Sequence, residues 1–495
     1  MTHLNWLDWL VIAVYAVGML AVGWYYSRRT VTTEDYLLGG RKMRPLSVGL
    51  SLFATLLSTI SYLAWPSETI SDGPLFMMGA IASYPFIYVV TGWFLIPFIM
   101  KLKVTSAYEI LESRLGPAVR VLGSFLFLAL RLAWMALIIF ATSDKVLVTL
   151  MGWPSSATPY VCIVLGAITV IYTSMGGLRA VVFTDVVQTV ILFGGAILTL
   201  VLVTVYMGGV SAWWPTEWLA HWPKPVWGYQ PGVRITFFGG FLATFTWYIC
   251  TSGSDQMAIQ RYLATRDVKA ARFVLGTSLV ASTLVTVIMI SVGLAIYAYF
   301  QANPHLLADG QTMLGNADEV FPRFIAIGMP VGVSGLVVAG LLAAAMSSLS
   351  SGINSSCSVI TVDFIDRFRR HRTSETDHVR LAKYVSVVVG VVVVALSSGV
   401  GMVQGNLLEV TFKVVNLLTA PLFGLFFMAM FVRWATGPGT LVGAFFGLVV
   451  VVSISFWKDF TGNVGIGFLW AMPLSLLVQV VVGMLVSLVP IGRRP

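Results

Sequence analysis

Thirteen stretches of this chain stay apolar for about the twenty residues that an α-helix needs to cross the hydrocarbon core of a bilayer. They run over about residues 6–26, 46–65, 76–100, 121–149, 158–177, 181–207, 236–255, 272–300, 332–356, 379–400, 407–431, 439–457 and 465–488. Within hydrocarbon a helix satisfies all its backbone hydrogen bonds inside one segment. The pattern therefore predicts an all-α membrane protein with 13 transmembrane helices. Only 10% of the 495 residues are charged, against about 25% in soluble domains, and almost no sequence is left for a soluble domain. No cleavable targeting peptide is expected, because the first segment runs from Asp8 into "WYYSRRT" without a small-residue cleavage site. Cys162, Cys250 and Cys357 all fall in apolar runs and predict neither a disulfide framework nor a zinc site.

A net charge of +9 would suit a nucleic-acid partner, but its distribution does not. Of the 30 Lys and Arg, 23 fall in alternate connections, around Arg28 to Arg44, Lys101 to Arg120, Arg179, Arg261 to Arg272, Arg367 to Lys383, Arg433 and the Arg493–Arg494 tail. That excess marks the cytoplasmic face of a cell (inner) membrane. Thirteen spans then put the N-terminus outside and the C-terminus in the cytoplasm. The partner implied by the charge is the lipid bilayer, with no nucleic acid.

The long connections, near 208–235 and 301–331, lie on the outer side. The first is rich in Trp and Pro, which suits an aromatic belt anchoring its neighbours better than a structured cap. Cutting there leaves five spans before it, over about 46–207, and five after it, over about 236–431. The helices 6–26, 439–457 and 465–488 stay peripheral to this single transmembrane domain. An odd number of spans per half forces opposite orientations, the arithmetic of a 5+5 inverted repeat with its sites on broken mid-membrane helices. The first helix of each half carries the breaking signals. "SLFATLLSTISYLAWPSE" has five hydroxyls before Pro66, and "FLATFTWYICTSGSDQ" has Thr244, Thr246, Thr251, Ser252, Gly253 and Ser254.

"MSSLSSGINSS", Met346 to Ser356, closes another apolar run with six serines and an asparagine. Ser347, Ser351 and Asn354 share one helix face, with Ser350 beside them, and Ser348 and Ser355 form a second stripe. Small residues let helices pack closely, but five hydroxyls in nine residues exceed that need and suit a cradle for a sodium ion, which takes hard oxygen donors. Asp185, just inside a span, is an intramembrane carboxylate and so a candidate functional group. A simple ion pair with Arg179 competes with that reading.

The stretches "SLFATLLSTISYLAWPSE", "SMGGLRAVVFTDVVQ", "SDQMAIQRYLA" and "AAAMSSLSSGINSSCSVITVDF" resemble the signature stretches of the sodium/solute symporter family, in the family's order. The resemblance covers about residues 6–431 and implies the leucine-transporter-type fold with Na+ as co-transported ion. It implies a main sodium site from the carbonyls of Ala54, Leu57 and Ala344 and the hydroxyls of Ser347 and Ser348. Some members hold a second sodium where Asp185, Ser350 and Ser351 stand here, so one or two co-transported sodium ions are expected, and two if all three residues serve.

The substrate cavity is expected to be lined by Ser58, Ser61, Phe76, Ala80, Arg131, Tyr248 and Thr251. The family's sugar carriers grip hydroxyls with Asn, Gln and Glu at places that Leu56, Ser61 and Ala80 occupy here, which disfavours a sugar. Its sialic-acid branch carries an arginine where Trp134 stands, one turn from Arg131, and "PSE" at 66–68 resembles its monocarboxylate, iodide and vitamin carriers. Guanidinium binds carboxylate bidentately, so Arg131 points to a small organic anion such as sialic acid or a monocarboxylate, with sodium/sugar symport as the alternative; a structural ion pair competes for the role of Arg131. Lys413 has an easy partner in Glu409, one turn earlier. A membrane sensor would need a signalling domain after "LVPIGRRP", and an enzyme is disfavoured because all five histidines lie outside the spans. The transporter is expected to work as a monomer.

Overall fold

The computed structural model describes residues 4–101, 104–230, 232–307, 312–315, 317–368, 374–400, 407–463 and 465–489. Arg369, Arg370, Arg372, Arg493 and Arg494, counted above on the basic face, lie outside the described residues. The described residues are mostly helical, with no strand among them. Among the described residues ten helices are long and apolar enough to cross a membrane, or eleven if the bent pair Pro45–Leu56 and Thr59–Ser71 forms one span. Large apolar side chains such as Val190, Phe445 and Leu485 face outward, as a surface wetted by lipid requires.

The bent pair turns by 64°. Its break is at Leu57 and Ser58, both extended in backbone conformation. Pro66, the breaker expected from sequence, sits inside Thr59–Ser71 without ending it. Thr55, Ser58 and Thr59 instead cluster at the break, where short hydroxyl side chains compete with the helix for backbone partners. The second broken helix runs Phe237–Ser254 and resumes as Gln256–Leu263. It continues through Gly253 and breaks at Asp255, whose carboxylate caps the new helix by accepting from Met257 N at 2.9 Å.

Thr158–Met207 is helical throughout except at Gly177, where φ is +62° and ψ −162°. A straight helix of that length would measure about 75 Å, far beyond a hydrocarbon core of about 30 Å. Only glycine takes this conformation cheaply, and a Cβ here would stand 2.6 Å from the Tyr36 carbonyl oxygen. The serine-bearing helix Val333–Ile365 lies at the centre, packed against Thr158–Met207, Trp6–Ser27 and Pro117–Met151. Its first turn is held by Asp8, which accepts from Gly332 N and Gly335 N at 2.8 Å each. A carboxylate there complements the positive end of the helix dipole. Gly437–Ser455 and Phe468–Leu488 pack mainly on each other and on Leu407–Phe431, at the periphery.

Candidate functional site

The break at Leu57 frees the carbonyls of the preceding turn, which in an unbroken helix would accept from residues four further on. The serine helix meets them. Ser347 Oγ donates toward the Ala54 carbonyl at 2.8 Å and lies 3.1 Å from its own Ala344 carbonyl. Ser348 Oγ lies 2.9 Å from the Leu57 carbonyl and 3.1 Å from that of Thr55. Each hydroxyl owns one proton, so this cluster of oxygens holds more lone pairs than hydrogens. All five residues expected at the main site are buried and brought together. A neutral, oxygen-only cage of this kind fits a hard monovalent cation, and the break is what exposes its carbonyls.

The second group departs from expectation. Asp185 does not pair with Arg179, which binds Asp35 at 2.6 Å and the Gly39 carbonyl. Its partner is Arg261, assigned to a cytoplasmic loop by hydropathy but fully buried in the inner half of the second broken helix. Arg261 donates through Nη2 to Asp185 at 3.2 Å and to Ser351 Oγ at 2.5 Å. Its Nε donates to Ser51 at 2.9 Å, and Ser51 in turn donates to Asp185 at 2.5 Å. Ser350 turns back onto the Ser347 carbonyl at 3.1 Å. A guanidinium therefore stands between Asp185 and Ser351. The "QRY" of the third signature stretch was the available signal, masked because eight residues of inner half-helix read as polar loop.

Beside the first break lies a cavity of about 140 Å³. Ser61, Phe76, Ala80, Arg131 and Tyr248 line it as expected, whereas Ser58 and Thr251 do not. Both are buried near the breaks, with hydroxyls that lack a partner. Sequence reading missed Trp65, Trp247 and Phe412, which complete the wall. Arg131 is buried and pairs with Asp255 through Nη2, leaving its Nε buried without a partner. The arginine on the cavity wall is thus tied to the hinge of the second broken helix.

Above the cavity, Phe76 and Phe412 meet edge to face with ring centroids 5.7 Å apart. Arg234 grips both oxygens of Glu68, at 2.7 and 3.1 Å, and reaches Asp72 at 3.2 Å and Glu409 at 3.0 Å. Glu409 is thereby committed, and Lys413 binds Asp459 instead, at 3.1 Å. The Trp-rich loop is more than a belt. Trp222 is buried and donates to the Ile70 carbonyl at 3.2 Å, capping the C-terminal end of the first broken helix, while Trp214 and Trp227 stay exposed.

Residues 36–447 match the model of the sodium:solute symporter family. The chain belongs to that family. It is therefore a multi-pass membrane transporter that couples a solute to sodium, not an enzyme. The sodium/sialic acid symporter SiaT of Proteus mirabilis is 31% identical over 471 residues, covering 92% of this chain and 90% of that one. Human sodium-coupled monocarboxylate transporter 1 is 29% identical, covering 94% of this chain and 74% of that protein. Among solved structures, a Na+-coupled sialic acid symporter in a substrate-bound outward-open state superposes with a TM-score of 0.83 at 27% identity, over 98% of each chain.

Proposed function

We propose that the protein imports a small organic anion, such as sialic acid or a monocarboxylate, with sodium across the cell (inner) membrane by alternating access. The observation that carries this is the pair Ser347 and Ser348 meeting carbonyls freed by the Leu57 break. Sodium is held by Ala54, Leu57, Ala344, Ser347 and Ser348, and binding it joins the serine helix to the broken helix. The solute sits in the adjoining cavity with Arg131 as its countercharge. The relatives named for sialic acid and monocarboxylates support an anion.

We read the architecture as thirteen spans, counting each broken helix once and dividing Thr158–Met207 at Gly177. They form repeats over about 46–207 and 236–431, with the N-terminus outside, the C-terminus inside, and one chain sufficient for transport. Because Arg261 already supplies a cation beside Asp185 and Ser351, we assign one sodium rather than two. One sodium with one monoanion moves no net charge, so uptake should be insensitive to membrane potential.

Sodium-driven uptake into proteoliposomes tests this. Ser347→Ala removes one donor from the cage and should raise the sodium half-saturation about tenfold or more, whereas Ala54→Ser, which keeps its carbonyl, should stay near wild type. An unchanged half-saturation in Ser347→Ala refutes the cage. The Arg234 cluster joins the outer half of the first broken helix to Leu407–Phe431 across the cavity mouth. Arg234→Met should release that latch and speed labelling of a cysteine introduced at Ser61 by a membrane-impermeant maleimide applied from outside. Unchanged labelling would make the cluster a static strut.

A further inference from the structure

From the lining and size of the cavity we infer that its solute is a carboxylate with a compact aromatic or similarly flat apolar body, and not a polyhydroxylated sugar acid. The inference rests on the anion-symport reading above and narrows it. Seven of the lining side chains are aromatic, Trp65, Phe76, Tyr84, Trp134, Trp247, Tyr248 and Phe412, drawn from both broken helices and three of their neighbours. They offer ring faces and edges, which prefer offset or edge-to-face contact with another ring. Arg131 is the one charged residue of the lining.

Half of the hydroxyls of the described wall are already engaged within the protein. Tyr248 and Ser282 share a hydrogen bond at 3.1 Å, Thr286 donates to the Ser282 carbonyl at 2.7 Å, and Thr55 bonds Ser351 at 2.8 Å. Among the described lining residues Ser61, Tyr84, Thr244 and Thr411 remain, and there is no Asn, Gln, Asp or Glu. A polyol buried here would keep most of its hydroxyls unpaired, which a site lacking matching donors and acceptors rejects. Size points the same way. A cavity of about 140 Å³ is close to the roughly 150 Å³ apolar cavity that accepts a benzene ring. Arg131 brings a positive charge to the lining, and a carboxylate would share that guanidinium with Asp255.

Uptake by the full-length protein in proteoliposomes under an inward sodium gradient tests this, with radiolabelled phenylacetate as probe and phenylacetamide, sialic acid and glucose as competitors. The expected result is sodium-driven phenylacetate uptake. Phenylacetamide, its neutral counterpart, should compete at least tenfold more weakly, and sialic acid should fail to compete at a hundredfold excess. Displacement of phenylacetate by sialic acid at equal concentration, or sodium-driven uptake of sialic acid without any of phenylacetate, overturns the inference and leaves anion symport intact. If glucose or the amide is carried in preference to both acids, the inference and the anion reading fall together.

Discussion

Asp185→Asn is expected to lower the stability of the purified protein by about 3–5 kcal/mol, the cost of stranding one member of a buried ion pair. Arg261 is wholly buried, and its other contacts are a hydroxyl pair and the Met257 carbonyl, none of them charged. Asparagine keeps the size and one acceptor but cancels the negative charge to which Arg261 hydrogen-bonds. The double variant Asp185→Asn with Arg261→Met should regain much of the loss, since neither member of this pair then carries a charge. Thermal unfolding in detergent reads both. A single variant as stable as wild type would mean that the carboxylate is not the partner on which Arg261 depends. Sodium at the Ser347 cage should still stabilise the single variant, because ligand binding to the folded state raises apparent stability wherever that site survives.

The helices were legible because membrane spans announce themselves by length and hydrophobicity, and Ser347, Ser348, Ala54, Leu57 and Ala344 because their motifs are contiguous. The breaks were legible only in kind. Pro66 and Gly253 looked like the breakers, yet the chain opens at Leu57–Ser58 and Asp255, where tertiary partners take over the freed backbone groups. Serine helix and break stabilise each other, and neither sequence alone specifies the register. Arg261, Asp255 and Arg234 were missed for a common reason. A charge at the edge of an apolar run reads as solvated loop, and only packing reveals whether it turns inward to a partner. Lys413 and Glu409 illustrate the converse. Helical spacing made them an easy pair, but Arg234 and Asp459, from distant segments, bind them instead.

Arg131 and Asp255 should give effects of opposite sign on solute affinity. Arg131→Gln removes a charge-assisted bond worth about 1.5–3 kcal/mol, so the apparent affinity for a carboxylate solute should fall roughly ten- to a hundred-fold. Asp255→Asn removes the carboxylate that competes for the same guanidinium. In that variant Arg131 keeps a neutral acceptor through the asparagine oxygen, while its charge, on the wall of the cavity, is left for the solute. Carboxylate affinity should therefore rise several-fold, and that of a neutral analogue should not. The same substitution weakens the cap on Gln256–Leu263, since the Asp255 carboxylate accepts from Met257 N, so transport rate should fall even as binding tightens. Affinity taken from sodium-dependent thermal shift, and rate taken from uptake, separate the two consequences. If both variants weaken carboxylate binding alike, the pair is a strut between two helices and the anion is held elsewhere in the cavity. If they part in sign, the solute and the hinge draw on one guanidinium, and filling the cavity loosens the contact that fixes the second broken helix.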